Sequence, residues 1–275
     1  HVALAESYAS PSAIPANGGE YDFFHANSID VDTDNNLLIS SRNTWAVYKI
    51  ERRTGSVIWR LNGKRSDFTM GSGSRFEFQH DAKHFGNGQL TVFDDGGSPN
   101  VALSSRGLLL SVDETTHRVE LVQEYLPDPS FVTGSQGSVQ MLPNGNAFVG
   151  WGAEPYATEY ASDGRLLFEL QLAPTGVSYR AFRFEWTGRP DDSPAIALQA
   201  ASGNKTNVFV SWNGATEVRS WRMLAGRNAR SLTTIRTVPR VGFETMITVP
   251  SHPAIAVSAL DASGTELGRT RTVSG

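Results

Sequence analysis

Six histidines and one arginine set the possible chemistry of this 275-residue chain, because it contains no cysteine. Thiolate nucleophiles, disulfides and thiolate metal sites are therefore excluded. His25 and His80 stand out among the histidines. Each follows an aromatic run, Phe23-Phe24-His25 and Phe76-Glu77-Phe78-Gln79-His80, and each precedes an Asn/Gly turn by about ten residues. Arg42 closes the alternating stretch Ser40-Ser41-Arg42, and Asn27 lies two residues after His25, on the same face if that segment is a strand. Two imidazoles, an amide and a guanidinium in one pocket suit an oxyanion. A guanidinium offers a planar fork to sulfate, phosphate or carboxylate, and a neutral imidazole can act as nucleophile or as acid and base. Asp94, in Asp94-Asp95-Gly96-Gly97, holds the position corresponding to Arg42 one repeat later. It is expected either to steer a histidine or bind substrate, or simply to form a turn.

The remaining motifs lead nowhere comparable. His117 follows two threonines in a turn and His252 precedes a proline, which are surface settings. His80, Asp81 and His84 make a poor metal set, since adjacent strand residues face opposite sides and no third histidine completes a facial triad. No metal or cofactor is expected. Gly63, Gly71 and Gly73 precede no helix, so no phosphate loop forms, and no nucleophile elbow supports serine catalysis.

These residues need a scaffold, and the pattern defines it as all-β. Helical periodicity is nearly absent, while short alternating runs recur between Gly, Asn and Asp turns. The turn Asp34-Asn35-Asn36 is echoed at Gly86-Asn87-Gly88 and at Pro143-Asn144-Gly145, with 52 and 57 residues between Asn36, Gly88 and Gly145. Four strands per repeat of this length is the pattern of β-propeller blades. Three blades are expected, at about 22–63, 77–127 and 134–172, with Tyr179 to Trp186 opening a fourth. In a propeller the first strand of a blade lines the central channel, which would bring His25 and His80 to one axial site.

After Pro190 the texture changes. Asp191-Asp192-Ser193-Pro194 reads as a linker, and residues 191–275 carry seven short strand candidates around a tryptophan, Trp212 or Trp221, as in a fibronectin type III-like β-sandwich. Residues 1–190 are then part of a propeller. Three blades leave open sheet edges, which closure normally removes, and the chain starts at His1 without methionine. The expectation is that an N-terminal half of the same propeller, as a separate chain after cleavage, completes the ring. Balanced charge, 24 Lys+Arg against 28 Asp+Glu, argues against nucleic-acid binding, and no apolar run approaches the ~20 residues of a membrane span.

The ordered set Phe24-His25-Ala26-Asn27-Ser28-Ile29, Ile39-Ser40-Ser41-Arg42, Thr54 to Gly63, Ser66-Asp67-Phe68, Phe78-Gln79-His80-Asp81 and Leu90 to Gly96 resembles the arylsulfotransferase family. The likeness is dense over 22–97, thinner to 186 and absent beyond. It implies that the chain is the C-terminal three to four blades of a six-bladed propeller. It also implies sulfuryl transfer from an aryl sulfate to a phenol without a nucleotide donor. By position, His80 matches the histidine that is transiently sulfated, while His25, Asn27 and Arg42 match residues that hold the sulfuryl oxygens. The family has a further active-site histidine in its N-terminal half, which this chain does not contain. A small aromatic substrate and a secreted or extracytoplasmic location are expected. The alternatives are a secreted module binding carbohydrate or protein, and a sulfatase-type hydrolase working in the same pocket.

Overall fold

Left-handed backbone positions set the hairpin rhythm. Asn35 (φ 65°), Asn87 and Gly88 (φ 50° and 72°) and Gly145 (φ 85°) occupy a conformation that Asn and Gly adopt at least cost, and each sits in one of the three echoed turns. A computed structural model of the chain describes residues 1–10, 20–97 and 99–274. It contains twenty strands and, apart from two single 3-10 turns, no helix among these residues. Among the described residues no helix is long and apolar enough to cross a membrane.

The first thirteen strands form three consecutive antiparallel sheets. The first sheet is β1 (Ala26–Val31), β2 (Leu37–Ser41), β3 (Ala46–Ile50) and β4 (Val57–Leu61), paired in chain order. The second contains β5 (Thr69–Met70), β6 (His80–Phe85), β7 (Gln89–Asp94), β8 (Arg106–Asp113) and β9 (Arg118–Tyr125). Here β6 to β9 pair in order, and β5, from a stretch that reads as a polar loop, adds a parallel strand to β9. The third is β10 (Ser138–Met141), β11 (Ala147–Gly150), β12 (Tyr156–Tyr160) and β13 (Leu166–Gln171). These are propeller-type blades, each a meander of four consecutive strands.

The expected fourth blade does not begin. Tyr179–Trp186 alternates in sequence but forms no strand. A strand needs a ladder, and no further meander follows to pair with it. The stretch instead runs beside β10 through side-chain bonds. Ser138 Oγ exchanges hydrogen bonds with the Ala181 backbone, and Gln140 does the same with Arg183.

Alternating apolar residues bury the faces between blades. Leu38, Val47 and Leu61 from the first blade meet Ala82, Val92 and Leu110 from the second in one core. Phe93 and Tyr125 of the second meet Val149 and Trp151 in another. Polar groups stitch the first pair as well. Gln79, fully buried, reaches Ser40 Oγ and the carbonyls of Ser41 and Ala46 at 3.0–3.1 Å through its side-chain amide nitrogen, and its backbone carbonyl accepts from Asn27 Nδ2 at 2.6 Å.

The chain divides into two compact units, 1–183 and 184–275. The second holds β14 (Ala195–Ala201), β15 (Lys205–Ser211), β16 (Ser220–Gly226), β17 (Thr233–Pro239), β18 (Glu244–Pro250), β19 (Ala254–Leu260) and β20 (Glu266–Arg269). A three-stranded sheet, β14-β15-β18, and a four-stranded sheet, β17-β16-β19-β20, share one core and make a β-sandwich. Trp221 lies at its centre and donates from Nε1 to Thr245 Oγ1 at 3.1 Å, so a large apolar ring is buried without an orphaned donor.

Leu110 tests the packing between the first two blades. It is fully buried in their shared core. Leu110→Ala should cost about 2–5 kcal/mol in urea unfolding followed by circular dichroism, as cavity-forming core substitutions do. A cost below about 1 kcal/mol would show that the inter-blade core is not tightly packed.

Candidate active site

His80 opens β6 at the inner end of the second blade and is 2% exposed. Its neighbour across the hairpin is Phe93, and two residues later the chain leaves β7 at Asp95. Asp95 Oδ2 lies 2.7 Å from His80 Nδ1, and Asp95 is fully buried. On the other side of the ring the Gln136 backbone N–H donates to Nε2 at 3.3 Å. An amide N–H only donates, so Nε2 is the unprotonated nitrogen, and the ring proton sits on Nδ1, facing the carboxylate. The lone pair of Nε2 is therefore presented on the side away from Asp95.

Charge reinforces this state. Burial, followed by Arg42 and His25 and lastly Arg180, lowers His80 to about 3, with a backbone hydrogen bond at Phe78 pulling the other way. Burial raises the Asp95 carboxyl well above the usual carboxylate range and the Arg42 guanidinium opposes that rise; with the Gln136 N–H on Nε2, the ring proton on Nδ1 meets Asp95 as an ionised acceptor. The imidazole is thus held neutral, with a guanidinium close enough to act on both members of the pair. Asp95 is fixed in turn: Ser105 Oγ donates to its carbonyl at 2.5 Å and accepts from the Thr133 N–H at 2.8 Å.

Arg42 begins a 3-10 turn directly after β2. Its guanidinium lies over the Phe78 ring at 4.7 Å and donates to Asn43 Oδ1 at 3.1 Å. That places a half-buried cation beside the histidine with part of its fork unused. Phe78 also meets Trp45 edge-on, and Trp45 stacks on Tyr8, so an aromatic wall adjoins the arginine.

His25 stands just before β1, not on it. Its φ of 53° takes it out of the extended region, and a register shift between Ala26 and Ser28 separates its direction from that of Asn27. The expectation that His25 and Asn27 share a strand face fails for that reason. His25 is 46% exposed on its side chain and pairs through Nδ1 with Asp22. It still lies near enough for its charge to act on His80. Asn27 turns inward, with Nδ2 on the Gln79 carbonyl and Oδ1 buried without a protein partner.

Asp94 is not brought to the histidine. Its buried carboxylate accepts from the Glu77 N–H at 2.9 Å and pairs with Arg106 Nε at 2.9 Å. Neighbouring residues at a strand end point to opposite sides, and it is Asp95 that turns inward. Sequence reading also missed Gln136, whose N–H reaches His80, and Tyr179, whose ring meets His80 edge-on at 6.2 Å between centroids. The strained φ values of Phe78 (55°), Asp81 (52°) and Gln136 (70°) gather around the same imidazole. Non-glycine residues in this region cost roughly 1–3 kcal/mol each and cluster where structure is held for a purpose. His84 lies 3.7 Å from Asp32 and His117 stacks on Phe68, both away from this pocket.

The inner strand ends of this bladed β-protein thus present a neutral, carboxylate-oriented histidine beside an arginine. The chain belongs to the arylsulfotransferase (ASST) family, whose sequence profile matches residues 8–173. None of the curated proteins compared with it matches. Among solved structures, it aligns with hydrazine synthase of Kuenenia stuttgartiensis at 12% identity and TM-score 0.38, over 86% of this chain and 56% of that one. It aligns with a virginiamycin B lyase from Staphylococcus aureus at 12% identity and TM-score 0.35, over 91% and 85%. A PQQ-bound aldose sugar dehydrogenase from Streptomyces coelicolor gives 10% and 0.36, over 86% and 74%. The chain thus spans little over half of the first of these. At such distances the likenesses add nothing to the reading of the site.

The buried neutral imidazole has a pH signature. Below the ordinary value of 6.5 the unfolded chain binds a proton at this histidine, and the native chain does not until about pH 3. His80 therefore withdraws stability as pH falls from 6.5 toward 3, by up to about 1.4 kcal/mol per pH unit. In His80→Gln this contribution should vanish, so the variant's unfolding free energy should fall less steeply with acid than that of the wild type. Parallel acid limbs in the two proteins would show that His80 titrates normally in the fold.

Proposed function

We propose that this chain carries the reacting histidine of a sulfuryl transferase that moves a sulfuryl group from an aryl sulfate to a phenolic acceptor, with His80 as the intermediate carrier. The observation that supports this most is the tautomer of His80. Asp95 fixes the proton on Nδ1, so the lone pair of a neutral, buried Nε2, met by the Gln136 N–H, is the one that attacks. Family membership supports the sulfuryl chemistry, and the neighbouring Arg42 supports an anionic substrate.

In the first step the Nε2 lone pair attacks sulfur, a bond forms between Nε2 and sulfur, and the bond from sulfur to the aryl oxygen breaks. The electron pair leaves with the phenolate, which takes a proton from His25 or from solvent. The Gln136 N–H must give up Nε2 as the sulfuryl group arrives, and it then lies beside the sulfuryl oxygens. Imidazole sulfated at Nε2 is positively charged in the ring, and the Asp95 carboxylate facing Nδ1–H offsets that charge. In the second step the acceptor phenol gives its proton to His25 and its oxygen attacks sulfur. The bond from sulfur to Nε2 breaks and returns the lone pair to the imidazole.

Sulfuryl transfer, like phosphoryl transfer, passes through a loose transition state with its charge on the peripheral oxygens. Positioning and preset donors then do most of the work. Arg42 suits this role because its guanidinium is preorganised over Phe78, whereas Asn27 has its Nδ2 on the Gln79 carbonyl. Dividing one displacement into two gives ping-pong kinetics.

The same reading extends to the surroundings. The side chains of β13, among them Leu166, Phe168 and Leu170, are exposed. That supports further blades, supplied by an N-terminal half of the propeller as a separate chain, as the completion of the ring. The strand order of the sandwich supports a fibronectin type III-like module. A secreted or extracytoplasmic location fits this pairing.

The test is release of a chromogenic phenol from its sulfate ester, with and without an added phenol. Release that depends on the acceptor is the expected result. Release without acceptor would assign a sulfatase, and no release by the folded protein would leave only a binding role. His80→Ala should abolish transfer, and Arg42→Ala should slow it by roughly 100- to 1,000-fold while raising KM for the donor. Full activity in folded His80→Ala would remove the mechanism.

A further inference from the structure

Arg180 lies beyond the stretch matched to the family, in the irregular segment that replaces a fourth blade. That segment is held firmly. The Gly137 N–H donates to the Tyr179 carbonyl at 3.0 Å, the Ala181 N–H to Ser138 Oγ at 3.0 Å, and the Arg183 N–H to Gln140 Oε1 at 2.7 Å. Gly150 of β11 leaves room for it, since a Cβ there would stand 2.8 Å from the Ala181 Cβ. The backbone of Arg180 is thus anchored on the third blade, while its side chain crosses to the other two.

The guanidinium makes two contacts there. Nη2 donates to the Asn27 carbonyl at 2.8 Å, at the start of β1, and Nε lies 3.0 Å from Asp81 Oδ1, immediately after His80, an ion pair without the alignment of a hydrogen bond. Asp81 is fully buried and strained at φ 52°, and Lys83 at 3.0 Å is its other cationic partner. Tyr179, whose ring lies under the Arg180 guanidinium at 5.4 Å, meets His80 edge-on. One side chain therefore touches both sequence motifs that supply the candidate site.

We propose that Arg180 is a positioning residue for His80, anchored on the third blade, which ties the entry of β1 to the entry of β6 and balances the buried carboxylate beside the reacting histidine. This rests on the reading of His80 as the sulfuryl carrier. Burial raises the Asp81 carboxyl, and Lys83 and Arg180 oppose that rise. Without Arg180 the negative charge next to His80 is left to Lys83 alone, and Asp81 loses its tie to the third-blade segment. The charged and titratable groups around the imidazole are Asp95 on its Nδ1 side, Arg42 and His25 from the first blade, Asp81 with Lys83 along β6, and Tyr179 with Arg180 from the third-blade segment. Of these, Arg180 alone bridges all three blades.

The experiment compares wild type, Arg180→Ala and Arg180→Lys in the full chain under the conditions in which the wild type is assayed, after circular dichroism has verified folding. Turnover of a chromogenic aryl sulfate gives kcat and KM, and 15N-imidazole spectra against pH give the protonation of His80. Arg180→Ala should lower kcat by roughly 10- to 100-fold, as loss of a supporting contact does, with little change in KM. It should also move the His80 titration upward, and Arg180→Lys should recover part of both. Unchanged kcat and an unchanged titration in folded Arg180→Ala would overturn the proposal. So would a raised KM at constant kcat, which would make Arg180 a direct substrate contact. If the wild type transfers no sulfuryl group, the reading of the reaction fails separately. The titration then decides, an upward shift supporting the positioning role and no shift overturning it.

Discussion

The hydrogen bond between His80 Nδ1 and Asp95, 2.7 Å long and buried at both ends, is the contact on which the site depends. It settles which ring nitrogen carries the proton, and so which one offers a lone pair. An imidazole of the other tautomer would present an N–H to the pocket and could not attack an electrophile there. Burial alone would keep the ring neutral without choosing its tautomer, and Arg42 alone would favour neutrality without orienting the ring. The carboxylate does the choosing, and burial with Arg42 keeps the ring uncharged. Family membership then gives this prepared nitrogen a chemistry to which it is suited.

The blades exist, in this view, to hold four chain segments within reach of one ring. His80 comes from the inner strand of the second blade, and Asp95 from the end of the strand beside it. Arg42 comes from the turn after β2 of the first blade, and Gln136 from the loop leading into the third. Apolar packing between blades supplies most of the cohesion. The relative placement of the segments is fixed by buried polar groups such as Gln79, whose amide reaches three acceptors on the first blade, and Asn62, which donates to the Trp45 and Phe76 carbonyls at 2.8 and 2.6 Å. A sliding of one blade against the other would leave these groups unsatisfied in a dry interior, which is why they define the alignment more sharply than the apolar contacts do.

Local patterns were legible in the amino-acid sequence wherever one short segment decided the outcome. The echoed Asn and Gly turns gave the four-strand rhythm of all three blades, because left-handed residues fix hairpins locally. The run Phe78 to Asp81 marked His80, since it opens a blade on the strand that lines the channel and matches the family's reacting histidine by position. What escaped was decided by tertiary geometry. Asp94 and Asp95 differ only in which side of a strand end each faces, and the hairpin register, not composition, turns Asp95 inward. His25 was placed on a strand by its neighbours, yet the backbone turns left-handed there before β1 begins. Tyr179 to Trp186 has the alternation of a strand but no ladder to join. Arg180 gave no signal at all, because its partners lie 153 and 99 residues earlier in the chain.

The central claim is that Nε2 of His80 carries the sulfuryl group between donor and acceptor. The most direct measurement is rapid quenching of the protein with an aryl sulfate in the absence of acceptor, at alkaline pH where a bond from sulfur to imidazole nitrogen survives, followed by peptide mass spectrometry. The account predicts one added SO3 group, located on His80 and lost when a phenol is supplied before the quench. An added group on another residue, or acceptor-dependent turnover with His80 never modified, would contradict it.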